Sequence, residues 1–395
     1  MRDLHRHACS DERLTVQAAL DPELREWLFG SLQRSGQRVK AEQYVRGLLS
    51  VRGRKTLRSI AAQLDGAAAQ QSVHHFISTS PWEWMPVRHA LARHAQRTLA
   101  PDAWVIRPTL IPKAGSHSVG VDQQPLPLGR IVNGQRAVGA WLVSGRSAVP
   151  VDWQLRLSAR WMADPLRQRA SVPPDAAVAT VEECVRVAVA NVLGIKDVPR
   201  GPVVVDVADV DAVSIARFLS SMGIPFIVRV GPDAQLRLDR SELPKYGGRE
   251  RTAGELAESL PRLRQQVNPG DGPTTAVAIP VVASPSRSDR MLLLGEWRPV
   301  GHPRRRLWLT NADVSSAVPA LRLTRLPGVV VRDFAAISEC VGVRDFAGRS
   351  FPGWHRHITL ASVAHLVAAL ELRGPAAGAS PTEGDVSHTN GTTVR

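Results

Sequence analysis

Apolar positions follow a helical period over roughly the first hundred residues. Within each of two groups, apolar residues recur at helical spacing and so form one face of a helix. The groups are Leu24, Trp27, Leu28 and Leu32, and Val45, Leu48 and Leu49. This spacing predicts a helical domain over residues 1–100. Within it, residues 56–64, the Asp65-Gly66 turn and residues 67–77 fit a helix-turn-helix that contacts DNA. A helical hairpin with a solvated basic face fits the same pattern.

The hydrophobic period changes near residue 103. Short apolar runs bounded by Pro, Gly and Asn predict strands, at residues 103–106, 117–121, 136–143, 202–206 and 225–230. Thr180 and Glu183 have the spacing of a capping box, which predicts that a helix begins there. Strands in series followed by a β-α-β unit predict an α/β fold with a mixed sheet.

Residues 231–325 have a different pattern, with a capped helix near Thr252 and strand-like runs at 276–283, 291–297 and 307–310. We interpret this part as an insertion that contains β-structure. Residues 360–372 predict a last amphipathic helix. The tail at 374–395 is rich in small and polar residues, which predicts disorder. The core of the fold is therefore expected at 101–230 and 326–373.

Charge adds a candidate partner to this outline. The 395 residues carry a formal net charge of +14, and only five of the 50 basic residues are lysine. A strongly basic balance favours a polyanion such as nucleic acid, although a GC-rich genome would also enrich arginine. Hydrophobic residues make up 44% of the chain, which excludes a wholly disordered protein. The sequence has no run of about 18 apolar residues, so we expect no membrane-spanning helix. The first residues lack the apolar run of a secretory signal, so we expect a cytoplasmic, nucleoid-associated protein.

Most catalytic motifs are missing from the sequence. It contains no P-loop, no HExxH and no GxGxxG, and its three cysteines lack the paired spacing of a zinc site. Ser116 to Gly120 resembles a nucleophile elbow, but strands rather than a helix are predicted to follow it. His355 and His357 lack an obvious third metal ligand, so a structural or phosphate-contacting role fits them better. Asp206 ends a buried strand, which makes it the best candidate for a catalytic or metal-binding carboxylate. Its alternative role is a helix N-cap.

Four segments together resemble a known family. They read FISTSPWEWMPVR at 76–88, PKAGSHSVGV at 112–121, VDW at 151–153 and GRSFPGWHRH at 348–357. In order and spacing, they are similar to bacterial insertion-sequence transposases of the DDE superfamily endonuclease type, common in actinobacteria. The resemblance covers roughly residues 20–373 and implies an RNase H-like core, double-stranded DNA as partner and three catalytic carboxylates. For the assembly of the protein itself, we consider a homodimer.

The carboxylate positions that the resemblance implies are only partly retained. The family's D-D-T segment corresponds to Arg107-Pro108-Thr109, so both acidic positions are lost. The second carboxylate corresponds to Asp206, which is kept. The third, a glutamate, falls on Val331. Arg107 would place a cation where a metal should bind, and we expect it to pair with Asp206 instead. One carboxylate holds Mg²⁺ weakly at best.

The sequence therefore predicts a transposase-family DNA-binding protein that is catalytically inactive, either decayed or domesticated, with no cofactor. The alternative is an active transposase that cleaves and transfers DNA strands with Mg²⁺. Nearby acids that could substitute as ligands are Asp122, Asp209, Asp211, Asp333 and Glu339. The candidate phosphate contacts are basic residues in three parts of the chain: Arg52, Arg54, Lys55, Arg58, Arg304, Arg305, Arg306, Arg349 and Arg356.

Overall fold

The computed structural model of the chain describes residues 20–64, 69–246, 249–282, 290–297 and 306–373. Several sequence predictions fall outside these ranges. They are the Asp65-Gly66 turn, the tail at 374–395, and the contacts Arg304 and Arg305. None of the helices in the described ranges has the length and apolar character needed to span a bilayer.

Helices precede the first strand, as the apolar spacing predicts. Their bounds are α1 Pro22–Phe29, α2 Ser35–Ser50, α3 Leu57–Ala61, α4 Ala69–Ser78 and α5 Trp84–Leu99. The side chain of Asp21 accepts a hydrogen bond from the Glu23 amide at the start of α1. Thr56 and Ser59 form a reciprocal cap at the start of α3. The predicted helix-turn-helix corresponds to α3 and α4, which pack against each other. Contact of this hairpin with DNA stays a prediction.

The described strands form one large sheet. Their bounds are β1 Ala103–Pro112, β2 Val121–Pro125, β3 Ile131–Val143, β4 Ala148–Leu155, β5 Val203–Val205, β6 Phe226–Val230, β7 Gln235–Leu238, β8 Arg251–Thr252, β9 Gln265–Val267, β10 Thr274–Val282, β11 Arg290–Trp297 and β12 Arg306–Thr310. The main path of the sheet runs β2-β3-β1-β5-β6-β12-β11-β10-β7-β8, with β4 paired to β3 and β9 to β10.

The centre of the sheet mixes antiparallel and parallel pairs. β1 pairs antiparallel with β3, which pairs antiparallel with β4. On its other side β1 pairs parallel with β5, and β5 pairs parallel with β6. The resulting order β4-β3-β1-β5-β6 is consistent with an RNase H-like nuclease fold. The predicted fold class, a mixed α/β sheet, is confirmed.

Further helices lie between and after the strands, and several of them pack against this sheet. They are α6 Ala159–Met162, α7 Leu166–Arg169, α8 Val181–Leu193, α9 Ala212–Ser221, α10 Ala253–Ser259, α11 Ala317–Leu323, α12 Leu326–Asp333 and α13 Phe351–Arg373. Thr180 and Glu183 form the predicted capping box of α8, and Thr252 and Glu255 cap α10 in the same way. All residues of β5 and nearly all of β4 are buried. Since successive strand residues point to opposite faces, both faces of these strands are covered.

Two features differ from the sequence predictions. Residues 117–121 were expected to be a strand, but residues 118–120 form a bend and turn and β2 begins at Val121. Gly120 adopts a positive φ of 73°, which breaks an extended conformation there. The segment interpreted as an insertion also contributes to the central sheet, because β12 pairs antiparallel with β6.

Helix α13 is the most deeply buried helix segment of the fold. Every residue from Gly353 to Ala369 is buried, and the helix packs against β4, α2, α4 and α5. It therefore joins the N-terminal helices to the sheet. A helix that is buried all round needs internal partners for each polar side chain.

An ion pair beside α13 supplies such partners. Arg88 on α5 and Asp152 on β4 are both nearly inaccessible, with 2.5 Å between Arg88 Nη1 and Asp152 Oδ1. Arg88 Nε also donates to Thr359 Oγ1 at 2.8 Å, and Arg88 Nη2 donates to His355 Nδ1 at 3.1 Å. Burial lowers the pKa of Arg88, while Asp152 favours its charged form. One guanidinium thus links α5, β4 and α13.

We predict that Arg88→Met lowers the free energy of unfolding by about 3–5 kcal/mol, because it leaves the Asp152 carboxylate buried without its cation. Urea unfolding followed by circular dichroism measures this change. The matched control is Arg237→Met, which breaks the exposed Arg237–Glu250 pair and should cost no more than about 1 kcal/mol. Equal effects of the two substitutions would contradict the structural role of Arg88.

Candidate functional site

The register of three adjacent parallel strands places three charged residues side by side. Ile106 of β1 pairs with Val205 of β5, which pairs with Val228 of β6. The residues that directly follow these three in sequence are Arg107, Asp206 and Arg229. Residues in register on parallel strands point to the same face of the sheet. The carboxylate therefore lies between two guanidinium groups.

Both oxygens of Asp206 are bound by these arginines. Arg107 Nε donates to Asp206 Oδ2 at 3.1 Å, and Arg229 Nη1 donates to Asp206 Oδ1 at 3.1 Å. Asp206 is only 7% exposed, whereas the two arginine side chains are 34% and 41% exposed. The predicted pairing of Arg107 with Asp206 is confirmed. We call Arg107, Asp206 and Arg229 the arginine clamp.

Arg229 is the member of the clamp that the sequence analysis missed. It interrupts the apolar strand Phe226–Val230 as a single charged residue. A lone charge in a buried strand is a signal that it needs a partner. The identity of that partner depends on strand register, which is set by pairing between distant segments.

The alternative role of Asp206 as a helix N-cap is wrong. The N-cap of α9 is Asp211, whose side chain accepts hydrogen bonds from the amides of Val213 and Ser214. Asp206 lies at the end of β5, five residues earlier in the chain than this cap.

The residues around Asp206 do not fit a divalent metal. Mg²⁺ needs oxygen ligands in octahedral geometry, and a metal pair needs several carboxylates. Here both Asp206 oxygens are already hydrogen-bonded to cations, and Pro108 on β1 offers no oxygen from its side chain. Val331 on α12 is 46% exposed, and its side chain also has no atom that could bind a metal. Among the described residues, no group of three His, Cys, Asp or Glu side chains could hold a metal.

The acids considered as substitutes for the missing ligands all have other partners. Asp209 pairs with Arg136, and Asp211 caps α9. Asp122 Oδ1 accepts a hydrogen bond from Ser158 Oγ at 3.1 Å. Asp333 Oδ2 accepts from the Ala148 amide at 2.7 Å, and Glu339 pairs with Arg344 at 3.0 Å. The contacts of these five carboxylates in the described part of the chain are thus made with groups other than the three residues of the clamp.

The distant sequence segments at 112–121 and 348–357 meet through one loop. Lys113 Nζ donates to the carbonyl oxygens of Arg344 and Phe346, at 2.7 and 2.6 Å. Ser118 Oγ donates to the Ala347 carbonyl at 3.3 Å. Burial lowers the pKa of Lys113 to about 8. These contacts fix the loop that leads into α13.

A comparison with protein families places the chain. The family model of the DDE superfamily endonucleases matches residues 27–283, about two thirds of the sequence. The chain belongs to the DDE superfamily endonuclease family. No curated protein matches it. The matched range includes Arg107, Asp206 and Arg229, so the arginine clamp lies inside the part that defines membership.

Some of the predicted DNA contacts of this DDE family member lie on its surface and others do not. Arg52, Arg54, Arg58, Arg306 and Arg349 are exposed. Lys55 is 6% exposed, and its Nζ donates to the Val51 carbonyl. Arg356 is also 6% exposed, and it donates to the carbonyls of Trp82 and Ile77.

The phosphate-contact role predicted for Lys55 and Arg356 is therefore corrected, because both side chains bond to carbonyl oxygens inside the protein. They hold backbone segments together.

The histidines of α13 are structural. His355 stacks on Trp84 with 4.8 Å between ring centroids. His357 Nδ1 accepts from Tyr44 Oη at 2.8 Å, and its Nε2 donates to the Gly342 carbonyl at 2.9 Å. His365 bonds in the same way to Ser338 Oγ and the Ala148 carbonyl. Burial lowers the pKa of both His357 and His365 to about 4. These imidazoles are neutral at neutral pH.

The serine at 118 does not form a nucleophile elbow. Its hydroxyl donates to the Ala347 carbonyl, and a turn leads from it into β2 rather than into a helix. The elbow requires a strand-to-helix turn that exposes the hydroxyl. This geometry gives no support to a serine hydrolase.

We predict that the protein loses stability as pH falls from about 6.5 to about 4. In this window the unfolded histidines, with an ordinary pKa of about 6.5, bind protons that folded His357 and His365 do not. The unfolded state then binds more protons, so stability is fully present above this window and is lost on acidification. Urea unfolding across this pH range measures the slope.

His365→Gln keeps a side-chain donor for the Ala148 carbonyl but removes the titration, so it should flatten the pH dependence. The matched control is His117→Gln, because His117 is exposed and should leave the slope unchanged. If the free energy of unfolding of His365→Gln falls with pH as steeply as that of the wild type, His365 is not the source of the pH dependence.

Proposed function

We propose that this member of the DDE superfamily endonuclease family binds double-stranded DNA without cutting it. The observation that carries the proposal is the arginine clamp, in which the carboxylate expected to hold a catalytic metal is bound on both oxygens by arginines. The clamp has two positive charges and one negative charge. The proposal includes the degenerate triad, with Arg107, Pro108 and Val331 at the other carboxylate positions, and the absence of any cofactor.

Electrostatics explains why the clamp opposes metal binding. A divalent cation at Asp206 must compete with two guanidinium groups for the same oxygens and is repelled by both of them. It must also give up water to gain a single carboxylate, which Mg²⁺ does reluctantly. Phosphoryl transfer by the DDE mechanism depends on bound metals to activate and stabilise oxygens. Loss of the metal therefore removes strand cleavage.

The same charges favour binding of DNA. The net charge of +14 gives the protein an attraction to the phosphate backbone. Arg52 and Arg54 are exposed between α2 and α3, and Arg58 is exposed on α3, the first helix of the predicted helix-turn-helix. Arginines at such a surface contact phosphates without reading the sequence. Binding without cleavage fits a regulator at the nucleoid, or a competitor at the ends of related elements.

We predict that the protein does not cleave duplex DNA. The test substrate carries terminal inverted repeats taken from the DNA that flanks the gene. The nicking assay uses supercoiled plasmid with Mg²⁺ or Mn²⁺, and the matched control is Asp206→Ala. The wild type and the variant should give the same background. Metal-dependent nicking that Asp206→Ala abolishes would show an active transposase and refute the proposed inactivity.

We predict that duplex binding weakens steeply with salt and depends on the basic segment. Replacing Arg52, Arg54 and Arg58 together by Ala should reduce the slope of log affinity against log salt by about 0.9 for each phosphate that is no longer neutralised. Gel shifts at several salt concentrations measure the slope. The matched control is Arg200→Ala, an exposed arginine just before β5. Absence of binding by the wild type even at low salt would favour an interaction protein without DNA.

A further inference from the structure

The hairpin of β2 and β3 extends beyond the end of β1. Strand β1 stops at Pro112, whereas β2 and β3 stay paired out to Pro125 and Ile131. We call residues 126–131 the ribbon tip. Of the described strands, only β2 and β3 reach it. The tip is therefore a two-stranded projection from the edge of the sheet.

The ribbon tip carries the two most exposed large apolar side chains among the described residues. Leu128 is 98% exposed and Ile131 is 65% exposed. Leu128 also has a φ of 65°, a left-handed conformation that is unfavourable for residues other than glycine. Single exposed apolar residues are common on protein surfaces, but two of them on one projection form an apolar wedge. Neither side chain stabilises the core of the fold.

The ribbon is held at its base and at its turn. At the base, Gln135 Nε2 donates to the Val119 carbonyl at 2.6 Å, and Gln135 is fully buried. At the turn, the Leu126 amide donates to the Arg130 carbonyl at 2.7 Å. A projection fixed at both ends needs little ordering when it binds a partner, which lowers the cost of binding.

The charge of the ribbon tip is complementary to a polyanion. Arg130 lies in sequence between the two exposed apolar residues and is itself exposed. Residues 123–151 contain no Asp or Glu. The acid just before this range is Asp122, whose Oδ1 accepts a hydrogen bond from Ser158 Oγ at 3.1 Å. The tip therefore attracts phosphate groups without an acid of its own segment to oppose them.

Two amide side chains continue this surface along the ribbon. Gln123 and Asn133 are directly opposite each other on β2 and β3, so they lie on the same face. Ile131 lies on that face as well, because it is two positions from Asn133 along β3. Proteins that bind the minor groove of DNA use Arg, Asn and Gln there and insert Leu or Ile between base steps. The ribbon brings together these same residue types.

The ribbon tip also lies at the sheet edge toward which the clamp strands run. β1, β5 and β6 are parallel and β3 is antiparallel to β1, so the tip lies beyond their carboxyl ends. Arg107 of the clamp pairs with Gly139 of β3, and Ile131 is eight residues nearer the tip. At 3.4 Å per residue this is about 27 Å, the length of about eight base pairs. A duplex that contacts the clamp therefore reaches the tip.

We propose that the ribbon tip inserts Leu128 and Ile131 between base pairs of duplex DNA and kinks the duplex, with Arg130 contacting the DNA beside the wedge. The inference rests on the proposed DNA-binding function and adds to it a site that deforms the DNA. Insertion partially unstacks a base step, which costs least at flexible pyrimidine–purine steps. The chain therefore selects deformable DNA without reading base edges.

The experiment separates binding from bending. Fluorescence anisotropy at low salt first measures binding of the full chain to a duplex of about 100 base pairs, shorter than the persistence length of about 150 base pairs. At equal bound fractions, DNA ligase then joins the ends of the same fragment. The yield of circles measures bending by the protein. The variant is Leu128→Ser with Ile131→Ser.

Two further variants control for other effects of the substitutions. Val187→Ser with Val314→Ser removes two apolar side chains that are also exposed, at 47% and 57%, elsewhere on the surface. Leu128→Met with Ile131→Met keeps an apolar wedge, since methionine also inserts between base steps. Thermal unfolding checks that each variant folds.

We expect the wild type to raise the yield of circles about tenfold over DNA alone, which corresponds to about 1.4 kcal/mol of bending energy. The tip variant with serines should bind the duplex but lose this increase, while both control variants should keep it. Binding without an increase, or an increase that the serines at the tip leave unchanged, overturns the wedge but not the DNA-binding function. Absence of binding at low salt overturns both.

A second copy of the chain and a lipid surface are the other partners that an apolar tip fits. Sedimentation velocity, and flotation with phosphatidylserine vesicles, compare the wild type with Leu128→Ser, Ile131→Ser. A dimer or a vesicle-bound state that this variant loses, with the yield of circles unchanged, assigns the tip to that partner and overturns the proposal.

Discussion

The parallel register of β1, β5 and β6 is the constraint on which the site depends. It places Arg107, Asp206 and Arg229 in a row on one face of the sheet. The strands themselves are apolar and buried, so hydrophobic burial fixes the register and the charged residues follow from it. The resemblance to the family implies carboxylates at two of these positions, those of Arg107 and Asp206. Here the row holds a structural ion-pair network with a net positive charge.

The segments on which the sequence resemblance rests contribute side chains that hold the fold together. Lys113 fixes the loop before α13, and Arg356 and His357 of the last motif bind backbone carbonyls and Tyr44 in the interior. Arg88 joins the N-terminal helices to the sheet through Asp152. These residues therefore stabilise the fold.

The sequence correctly predicted structural features that depend on residues close together in the chain. The capping boxes at Thr180 and Thr252 marked helix starts correctly, because capping is a contact between residues three positions apart. The Arg107–Asp206 pair was predicted from the aligned family positions, and its contact is confirmed. Arg229 was missed because only the pairing of β5 with β6 reveals its partner. The strand expected at 117–121 is replaced by a turn at Gly120, and the pairing of β12 with β6 depends on segments about 80 residues apart in sequence.

The clamp and the exposed arginines at 52, 54 and 58 have different roles in the proposed function. In the clamp, arginines bind both oxygens of Asp206, whereas Arg52, Arg54 and Arg58 are exposed. The central claim is that Asp206 no longer binds a divalent metal, and calorimetric titration of Mn²⁺ into the wild type and Asp206→Ala tests it most directly. The account predicts that the two titrations are the same. A site in the wild type tighter than about 1 mM, absent from Asp206→Ala, would contradict it.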